Sequence, residues 1–224
     1  GERPAKEYPA ARYQDVFGQV LCELAENDPR IVGITPAMAT GSGMSDFAAR
    51  FPDRFFDVGI AEEHAVTFAA GLAAGGMKPY CVIYSSFAQR AYDEIIHDIA
   101  LQRLNVVLCL DRAGLVGEDG ATHQGAFDLA YLRCVPNTII AAPKDETQLK
   151  RLLYTGMNIK EGPFVIRYPR GLGEGTDWMK AGPEPMEIGK GERLMDGEKV
   201  AVLALGPVAN RAVEAAERLR EETG

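Results

Sequence analysis

The sequence lacks the features that mark several large classes of protein. It has no apolar run of the roughly 18 residues that a membrane-spanning helix needs, and its N-terminus lacks the pattern of a signal peptide. It also has no Lys/Arg cluster long enough to follow a nucleic-acid backbone, and its net charge is −8. These absences predict a soluble protein that binds neither a membrane nor a nucleic acid.

Cysteine is scarce and scattered. The four cysteines, Cys22, Cys81, Cys109 and Cys134, form no CxxC pair, which argues against a disulfide framework and a zinc site. Cys81 and Cys109 lie inside apolar runs, where a free thiol packs as a small hydrophobic group. This usage is typical of a reducing compartment, and we expect a cytoplasmic protein.

Several short catalytic motifs are absent as well. There is no Walker A sequence, no GxSxG and no HExxH. The sequence therefore gives no support for a P-loop nucleotide hydrolase, a serine esterase or a zinc metalloprotease. The composition is otherwise ordinary: 46% of the 224 residues are hydrophobic and 25% are charged. A chain of this length is able to bury a sizeable core.

Apolar runs of strand length alternate with segments of helical length. The predicted strands are Ile31–Ile34, Phe55–Val58, Tyr80–Tyr84, Val106–Leu110, Thr138–Ala141 and Phe164–Arg167. The main predicted helices are Tyr13–Asn27, Ala61–Gly75, Phe87–Gln102, Ala126–Arg133 and Glu146–Gly156. The alternation indicates βαβ units and therefore an α/β fold with a doubly wound, mainly parallel sheet.

Changes in composition divide the chain into four parts. Residues 1–11 are polar and contain proline, as in a linker or tail, and residues 12–171 carry the α/β pattern. Residues 172–197 are rich in glycine and proline, which predicts a connector. In residues 198–224, we expect a strand at Val200–Leu205 and a helix at Val208–Arg220. One strand and one helix cannot close a core, so this part resembles the start of a second α/β domain.

The loop Asp111–Gly125 is the strongest candidate for a site. It follows the apolar run Val106–Leu110, and loops leaving the carboxyl ends of strands are where open α/β sheets bind ligands. Its glycines let the backbone approach a ligand, and it also carries Arg112, Asp119 and His123. The alternative is a solvated glycine-rich surface loop.

Glu62 and Glu63 lie where a predicted strand passes into a helix. An acidic residue in the first helical turn is favoured by the helix dipole, which is the structural explanation for both. The functional alternative is a carboxylate that hydrogen-bonds a ring nitrogen. Consecutive helical residues point about 100° apart, so only one of the two is expected to reach a ligand. His64 and His97 are interpreted as structural or interface residues.

Aromatic and arginine side chains follow two other strands. Phe87 and Arg90 are three residues apart at the start of a predicted helix, after the strand that ends at Tyr84, and would face the same cleft. Arg167 and Arg170 flank a proline at the end of another strand. They fit either surface charge or recognition of a phosphate, which suits the forked donors of arginine.

Several strings together closely resemble the 1-deoxy-D-xylulose-5-phosphate synthase family, thiamine-diphosphate enzymes of the transketolase superfamily. They are Ile34-Thr-Pro-Ala-Met38, Gly41-Ser-Gly-Met44, Phe51-Pro-Asp-Arg54, Phe56–Gly71, Gly120-Ala-Thr-His-Gln-Gly-Ala-Phe-Asp128 and Arg167-Tyr-Pro-Arg-Gly171. The match runs from about residue 11 to the end of the sequence. It covers the family's pyrimidine-binding domain and the first strand and helix of its C-terminal domain. Glu63 departs from the family pattern, which most often has Gln there.

The resemblance implies a reaction and its cofactors. The family condenses pyruvate with glyceraldehyde 3-phosphate, releasing carbon dioxide, to form 1-deoxy-D-xylulose 5-phosphate, an isoprenoid, thiamine and pyridoxal precursor. Thiamine diphosphate and Mg²⁺ are the implied cofactors. The sequence has no GDG-to-Asn motif, so the metal and the diphosphate are expected to bind the family's N-terminal domain, which lies outside this sequence. We therefore expect no metal ligands and no turnover from this chain alone.

The resemblance also implies roles for individual residues. Glu62 matches the carboxylate on N1′ of the pyrimidine, Phe87 the aromatic stacked on that ring, and Ile60 a further cofactor contact. His123 and Asp119 match a pair near the donor substrate. The implied contacts around the acceptor's phosphate are Tyr84, Arg90, Arg112 and Arg170.

The implied setting is a homodimer in a bacterial cytoplasm or a plastid, whose N-terminal domain binds the diphosphate. Two alternatives remain open: one subunit of a split transketolase-like enzyme, or a non-catalytic binding module. The strings Thr122-His-Gln-Gly125 and Pro169-Arg-Gly171 favour the synthase over a split enzyme. The presence of Glu62, Phe87 and His123 argues against a module that has lost its catalytic site.

Overall fold

The structure, a computed structural model, describes residues 9–223. Most of the expected tail, residues 1–8, lies outside the described residues. The chain from Ala11 onward is already part of the fold, since the Tyr13 amide donates to the Gly171 carbonyl (3.1 Å) and the Gly173 amide donates to the Ala11 carbonyl (2.8 Å).

Six parallel strands form one sheet, which confirms the predicted doubly wound architecture. The strands are β1 (Ile31–Thr35), β2 (Phe55–Asp57), β3 (Lys78–Tyr84), β4 (Val107–Asp111), β5 (Ile139–Ala141) and β6 (Phe164–Arg167). Their order across the sheet is β2-β1-β3-β4-β6-β5. The register pairs Tyr84 with Asp111 and Leu110 with Arg167, so the strands β3, β4 and β6 end side by side.

Helices connect the strands. They are α1 (Tyr13–Asn27), α2 (Ser45–Arg50), α3 (Glu62–Ala74), α4 (Ser85–Ala88), α5 (Tyr92–Glu94), α6 (Asp128–Leu132), α7 (Glu146–Gly156) and α8 (Val208–Thr223). The helix predicted at Phe87–Gln102 is a helical run that changes its hydrogen-bond pattern, through a 3-10 turn at Gln89–Ala91 and a π-helical turn at Ile95–Ala100. Hydrophobic spacing predicts the helical run, and Ile95 and Ile99 are buried in it. The spacing does not predict the changes in hydrogen-bond pattern, because these two residues stay buried within the π-helical turn.

The sheet separates two hydrophobic cores. Along β3, Tyr80 and Val82 face the core under α1, α2 and α7, whereas Cys81 and Ile83 face the core under α3 to α6. This alternation follows from the two-residue period of a strand. Helices cover both faces of the sheet, which explains why the strands appear in the sequence as continuous apolar runs.

The connector, residues 172–197, has no helix or strand, yet it is packed against the domain. Trp178 is buried in the first core, and the carboxylate of Glu146 accepts hydrogen bonds from the amides of Glu174 (3.0 Å) and Gly175 (2.9 Å). A buried carboxylate therefore fixes the start of the connector.

The expected strand at Val200–Leu205 is not formed. A strand requires hydrogen bonds to a neighbouring strand, and within residues 9–223 none pairs with this segment. Its apolar side chains are largely exposed, Leu203 by 99%. The helix expected after it is present as α8, and the Asn210 side chain donates to the Lys144 carbonyl (2.8 Å). Among the described helices, none has the length and apolar character needed to cross a bilayer.

Candidate functional site

The residues singled out in the sequence lie along one edge of the sheet, at the carboxyl ends of its strands. We call this group the rim: Ile60, Glu62, Tyr84, Phe87, Arg90, Arg112, Asp119, His123 and Arg170. Contacts run through the rim from the start of α3 to the end of β6, and each is described below. The rim lies where an α/β sheet of this kind binds ligands.

Glu62 is the first residue of α3 and is 3% exposed. Its Oε1 accepts a hydrogen bond from Nη1 of Arg90 at 2.7 Å, and this ion pair compensates for burial of the carboxylate. Glu63 is exposed, so of the two acidic residues only Glu62 turns inward, and which of them reaches a ligand stays a prediction. His64 is exposed too and stacks on Phe68, with ring centroids 6.0 Å apart.

The turn before α3 is held by Asp57, whose role was not predicted. Its Oδ1 accepts hydrogen bonds from the amides of Gly59 (3.0 Å) and Ala37 (2.9 Å). Ala37 has φ 61°, a left-handed conformation that is rare for alanine, and this bond helps to hold it. Ile60 follows and is 83% exposed, so Asp57 presents an apolar side chain to solvent beside Glu62. An aspartate at the end of a strand and two residues before a glycine is a signal for such a turn.

Aromatic rings form the centre of the rim. Tyr84 stacks on Phe87 with centroids 5.7 Å apart, and the His123 ring meets Phe87 edge-on at 5.1 Å. The guanidinium carbon of Arg90 lies 5.0 Å from the Phe87 centroid, so these two side chains lie together on one side of the helical run. Burial raises the pKa of the Tyr84 hydroxyl to about 12.

Arg112 is a buried cation in a strained backbone conformation. It has φ 59° and is 7% exposed. Its Nη1 donates to the Gly41 carbonyl (2.8 Å) and to the carboxylate of Asp111, and its Cζ lies 4.2 Å from the Tyr84 centroid. A non-glycine residue is held in this conformation only when its surroundings determine it, and such strain concentrates at functional sites.

Arg112 and Arg170 converge on one carboxylate. Asp119 Oδ1 lies 3.0 Å from Nε of Arg170, and its Oδ2 lies 3.5 Å from Nε of Arg112. The two arginines therefore lie close together, as a phosphate clamp requires. Asp119 faces these arginines, whereas Nδ1 of His123 lies 2.9 Å from the hydroxyl of Thr122.

The loop that carries Asp119 and His123 is closed at its base. Gly114 and Gly125 exchange two backbone hydrogen bonds of 2.8 Å each. A Cβ on Gly125 would overlap the Arg112 carbonyl, so only glycine fits there. The Gln124 side chain accepts from the Val116 amide (3.1 Å) and donates to the Gly120 carbonyl (3.2 Å). The role of Gln124 was not predicted, because a glutamine in a glycine-rich loop gives no distinctive signal.

Arg167 does not lie at the rim with Arg170. Its Nε donates to Oδ2 of Asp128 at 2.8 Å, and Asp128 is 1% exposed. This pair joins the end of β6 to the start of α6, directly after the loop. Of the two arginines that flank Pro169, one supports the loop and the other reaches the rim.

Burial also acts on Asp111, which lies beneath the rim. It raises the pKa of this carboxyl to about 7, although the neighbouring Arg112 opposes the shift. Three buried hydroxyls at the same edge of the sheet, those of Thr35, Ser42 and Ser85, have no hydrogen-bond partner among the described residues. Polar groups here are less completely paired than is usual in a protein interior.

Close packing of α1 fixes the loop that follows β1. A Cβ on Gly18 would overlap the Gly43 carbonyl, and a Cβ on Gly41 would overlap the Tyr84 hydroxyl. The backbone of α1 therefore contacts this loop directly, and Gly41 accepts from Arg112. Across residues 9–223, no group of three or more His, Cys, Asp or Glu side chains is arranged to hold a metal ion.

The family model for the pyrimidine-binding domain of transketolase matches residues 10–175. The chain belongs to this family. The matched residues include all six strands and the complete rim, so the rim is part of a transketolase pyrimidine-binding domain.

The most similar relatives include named synthases. The chain is 61% identical over 210 residues to the 1-deoxy-D-xylulose-5-phosphate synthase of Parabacteroides distasonis, a match that covers 94% of this chain and 33% of that protein. It is 54% identical over 219 residues to the synthase of Thermosynechococcus vestitus, covering 98% of this chain and 34% of that protein. The chain thus spans about a third of the length of these relatives.

Solved transketolases share the fold. A split-gene transketolase, described as an inactive β4 tetramer, superposes with a TM-score of 0.81 at 34% identity, over 94% of this chain and 67% of that one. The transketolase of Pichia stipitis in complex with sedoheptulose 7-phosphate gives 0.80 at 21% identity, over 96% of this chain and 34% of that one. The second similarity supports the fold alone.

Proposed function

We propose that this chain supplies the pyrimidine-binding half of the thiamine diphosphate site in a 1-deoxy-D-xylulose-5-phosphate synthase. The observation that carries the proposal is the buried Glu62 carboxylate beside the half-buried Phe87 ring, at the carboxyl edge of a transketolase-type sheet. The identities of 54–61% to named synthases favour this enzyme over other members of the superfamily.

The residues present fit an aminopyrimidine. A flat ring with polar edges needs an apolar face and a hydrogen-bonding partner, which Phe87 and Glu62 provide. Exposed Ile60 offers a second apolar contact beside them. When bound, thiamine diphosphate supplies the carbon nucleophile that takes up the acyl group of pyruvate as carbon dioxide is lost.

Glu62 has the central role in this scheme. Its carboxylate would hold the proton at the ring nitrogen N1′ and so favour the tautomer needed for activation. The burial of Glu62 at the start of α3 excludes water from this contact, which strengthens a charge-assisted hydrogen bond. Phe87 and Tyr84, stacked on each other, would orient the ring.

Substrate recognition would fall to the remainder of the rim. Arg112 and Arg170 would bind the phosphate of glyceraldehyde 3-phosphate, with Tyr84 and Arg90 near them. The charge of Asp119 lies between the two arginines, so a phosphate would have to compete with it or displace it. His123, whose ring contacts Phe87, would move a proton near the donor substrate, pyruvate, with Asp119 as its neighbour along the loop.

The proposal requires partners for this chain. The family's N-terminal domain would hold the diphosphate and Mg²⁺, since the described residues contain no cluster suited to a metal. The enzyme would act as a homodimer, and the bacterial origin of its relatives supports a cytoplasmic location.

A subunit of a split transketolase is the second candidate. It is favoured by the solved split-gene transketolase, which matches 94% of this chain at 34% identity. The synthase remains the stronger proposal, because identity to the named synthases is higher over a similar share of the chain.

Reconstitution distinguishes the two candidates. We expect the 224-residue chain alone to bind thiamine diphosphate weakly and to show no turnover. When the remainder of the Parabacteroides distasonis synthase, its diphosphate-binding domain and the rest of its C-terminal domain, is supplied, pyruvate and glyceraldehyde 3-phosphate should give 1-deoxy-D-xylulose 5-phosphate. Ketose donors of transketolase should give no product. Transfer from a ketose phosphate, or full activity from the chain alone, would contradict the proposed function.

A further inference from the structure

Arg90 already occupies both contacts that the aminopyrimidine is proposed to make. Its Nη1 donates to Glu62 Oε1 at 2.7 Å, and its Cζ lies 5.0 Å from the Phe87 centroid. A guanidinium resembles an aminopyrimidine in three respects: it is flat, donates hydrogen bonds from its edge and stacks on an aromatic face. A pyrimidine bound to Glu62 and stacked on Phe87 would therefore compete with the Arg90 guanidinium for the carboxylate oxygen and for the space against the ring.

We propose that Arg90 is a displaceable placeholder for the cofactor's pyrimidine, and that its displacement frees a cation for an anionic substrate. The inference rests on the proposed function and concerns the state of the site before the cofactor binds. Glu62 is 3% exposed, and an unpaired buried carboxylate is costly, so Arg90 stabilises the empty site.

The exposure of the two partners explains why the pair is able to open. The Arg90 side chain is 50% exposed, so it can leave Glu62 and remain hydrated. Glu62 cannot follow it, because its carboxylate is fixed at the buried start of α3. Release of Arg90 alone would leave the buried carboxylate unpaired, whereas a ligand that hydrogen-bonds Glu62 in its place replaces the lost contact, so exchange costs little.

Displacement creates a charge at the rim only after the pyrimidine has bound. Released Arg90 is one helical turn from Phe87 and no longer neutralised by Glu62. Its guanidinium would then attract an oxyanion, either the carboxylate of pyruvate or a phosphate. Binding of the pyrimidine and binding of the anion would thus strengthen each other by the same factor.

The first test measures binding of a probe, 4-amino-5-hydroxymethyl-2-methylpyrimidine, to this chain by NMR titration. We expect Arg90→Ala to tighten binding by about two- to fivefold, since the probe no longer has to break an ion pair of modest strength. Arg50→Ala is the matched control, because Arg50 pairs with Glu26, is 47% exposed and lies 5.3 Å from the Phe51 centroid. That variant should leave probe affinity unchanged.

A direct readout follows the side chain itself. In a chain labelled with ¹⁵N-arginine, the Nε resonance of Arg90 is identified by its loss in Arg90→Ala. Saturating probe should shift this resonance in the same direction as Glu62→Gln does without probe. An Arg90 resonance that stays unchanged while the probe binds would overturn the inference, as would weaker binding to Arg90→Ala.

The second half of the proposal, that released Arg90 binds an anion, is tested with pyruvate and inorganic phosphate, each titrated with and without saturating probe. Tighter binding of either anion in the presence of the probe, in the wild type but not in Arg90→Ala, identifies the anion that Arg90 receives. Absence of coupling for both anions would overturn this half. The proposed function fails separately, if the probe does not bind or if Glu62→Gln and Phe87→Ala leave its affinity unchanged.

Discussion

The two edges of the sheet differ in how completely their polar groups are paired. At the amino edge, Asp28 is held by Arg30 at 2.8 Å and by Lys78 at 3.2 Å. Arg54 donates to the backbone carbonyls of Ala25 (3.0 Å) and Asp28 (3.2 Å), so it caps the end of α1. The cations there have close protein acceptors.

The carboxyl edge is organised differently. The hydroxyls of Thr35, Ser42 and Ser85 are buried without a partner among the described residues, and apolar Ile60 and Leu115 are 83% and 85% exposed. Unpaired buried polar groups and exposed apolar side chains both destabilise an isolated domain. The amino edge is therefore the more completely paired of the two, and under the proposed function ligands or partner domains would complete the contacts of the carboxyl edge.

Glu62→Gln should have the largest effect on function. In the complete enzyme, assembled from this chain and the remaining parts of a synthase, we expect activation of the cofactor to slow by about 10²-fold or more, the scale typical of a missing acid–base partner. Gln accepts a hydrogen bond but has no charge to stabilise a protonated ring nitrogen. Deuterium exchange at C2 of the thiazolium measures this step alone. Glu63→Gln is the matched control, since Glu63 is exposed, and an unchanged exchange rate in Glu62→Gln would remove it from this role.

Arg54→Ala tests the opposite edge. It should lower the free energy of unfolding by about 2 kcal/mol, because a charged donor to backbone carbonyls is lost, and leave binding of pyrimidine ligands unchanged. Urea unfolding and NMR titration measure the two quantities. Arg54→Lys keeps the charge but lacks the paired N–H donors of the guanidinium, and it should recover part of the stability. A loss of ligand affinity in a folded Arg54→Ala chain would contradict the division between the two edges.

Arg170→Ala should affect one substrate selectively. In the assembled enzyme, we expect the KM for glyceraldehyde 3-phosphate to rise about tenfold, the effect of one charge-assisted hydrogen bond. The KM for pyruvate should stay nearly constant. Unphosphorylated glyceraldehyde is the control, because it offers no phosphate to the clamp. Equal effects on both aldehydes would show that Arg170 serves only its ion pairs, with Asp119 and with exposed Glu118, whose Oε2 lies 3.1 Å from Nη2 of Arg170.

The two edges should also respond to pH with opposite signs. Hydrogen bonding from Arg30 holds the pKa of Asp28 well below its usual range, so its contribution to stability is present above about pH 4 and is lost as the pH falls further. Burial raises the pKa of Asp111 to about 7, so the folded chain keeps a proton that the unfolded chain releases above about pH 4. The contribution of Asp111 therefore declines as the pH rises from about 4 to 7 and is constant above that.

Urea unfolding between pH 5 and pH 6 isolates the Asp111 effect. Over this interval, the free energy of unfolding of the wild type should fall by up to about 1 kcal/mol relative to that of Asp111→Asn. The free energy of unfolding of Asp28→Asn should change with pH in the same way as that of the wild type. Below pH 4, the difference between wild type and Asp28→Asn should shrink. A wild type that gains stability relative to Asp111→Asn between pH 5 and pH 6 would contradict the assignment.

Much of the fold could be predicted because a parallel sheet leaves a strong signal. Val107–Asp111 and Phe164–Arg167 are buried on both faces and therefore appear as apolar runs between turns. The location of the rim followed from the same logic, since parallel strands end at one edge. Val200–Leu205 has an equally strong strand pattern but forms no strand, because pairing depends on a neighbour and not on the segment itself.

Contacts between distant residues could not be predicted. Glu62 and Arg90 are separated by 28 positions in sequence, and no local pattern indicates that they pair. The same holds for the convergence of Arg112 and Arg170 on Asp119, which depends on the loop closure at Gly114 and Gly125. Strand ends, spacing and the family resemblance identified the residues at the rim, whereas their partners are decided by tertiary structure.

The contact between Gly18 and Gly43 has a practical consequence for anyone seeking a more thermostable variant. Gly18 lies inside α1, where alanine is intrinsically the better helix former by about 1 kcal/mol, so a helix-propensity rule would select it for replacement. A methyl group there would overlap the Gly43 carbonyl and push on the segment that holds Gly41 against Arg112. The substitution that helix propensity favours would thus transmit its strain to Arg112 at the rim, and engineering should begin at exposed positions on the outer surface of α8.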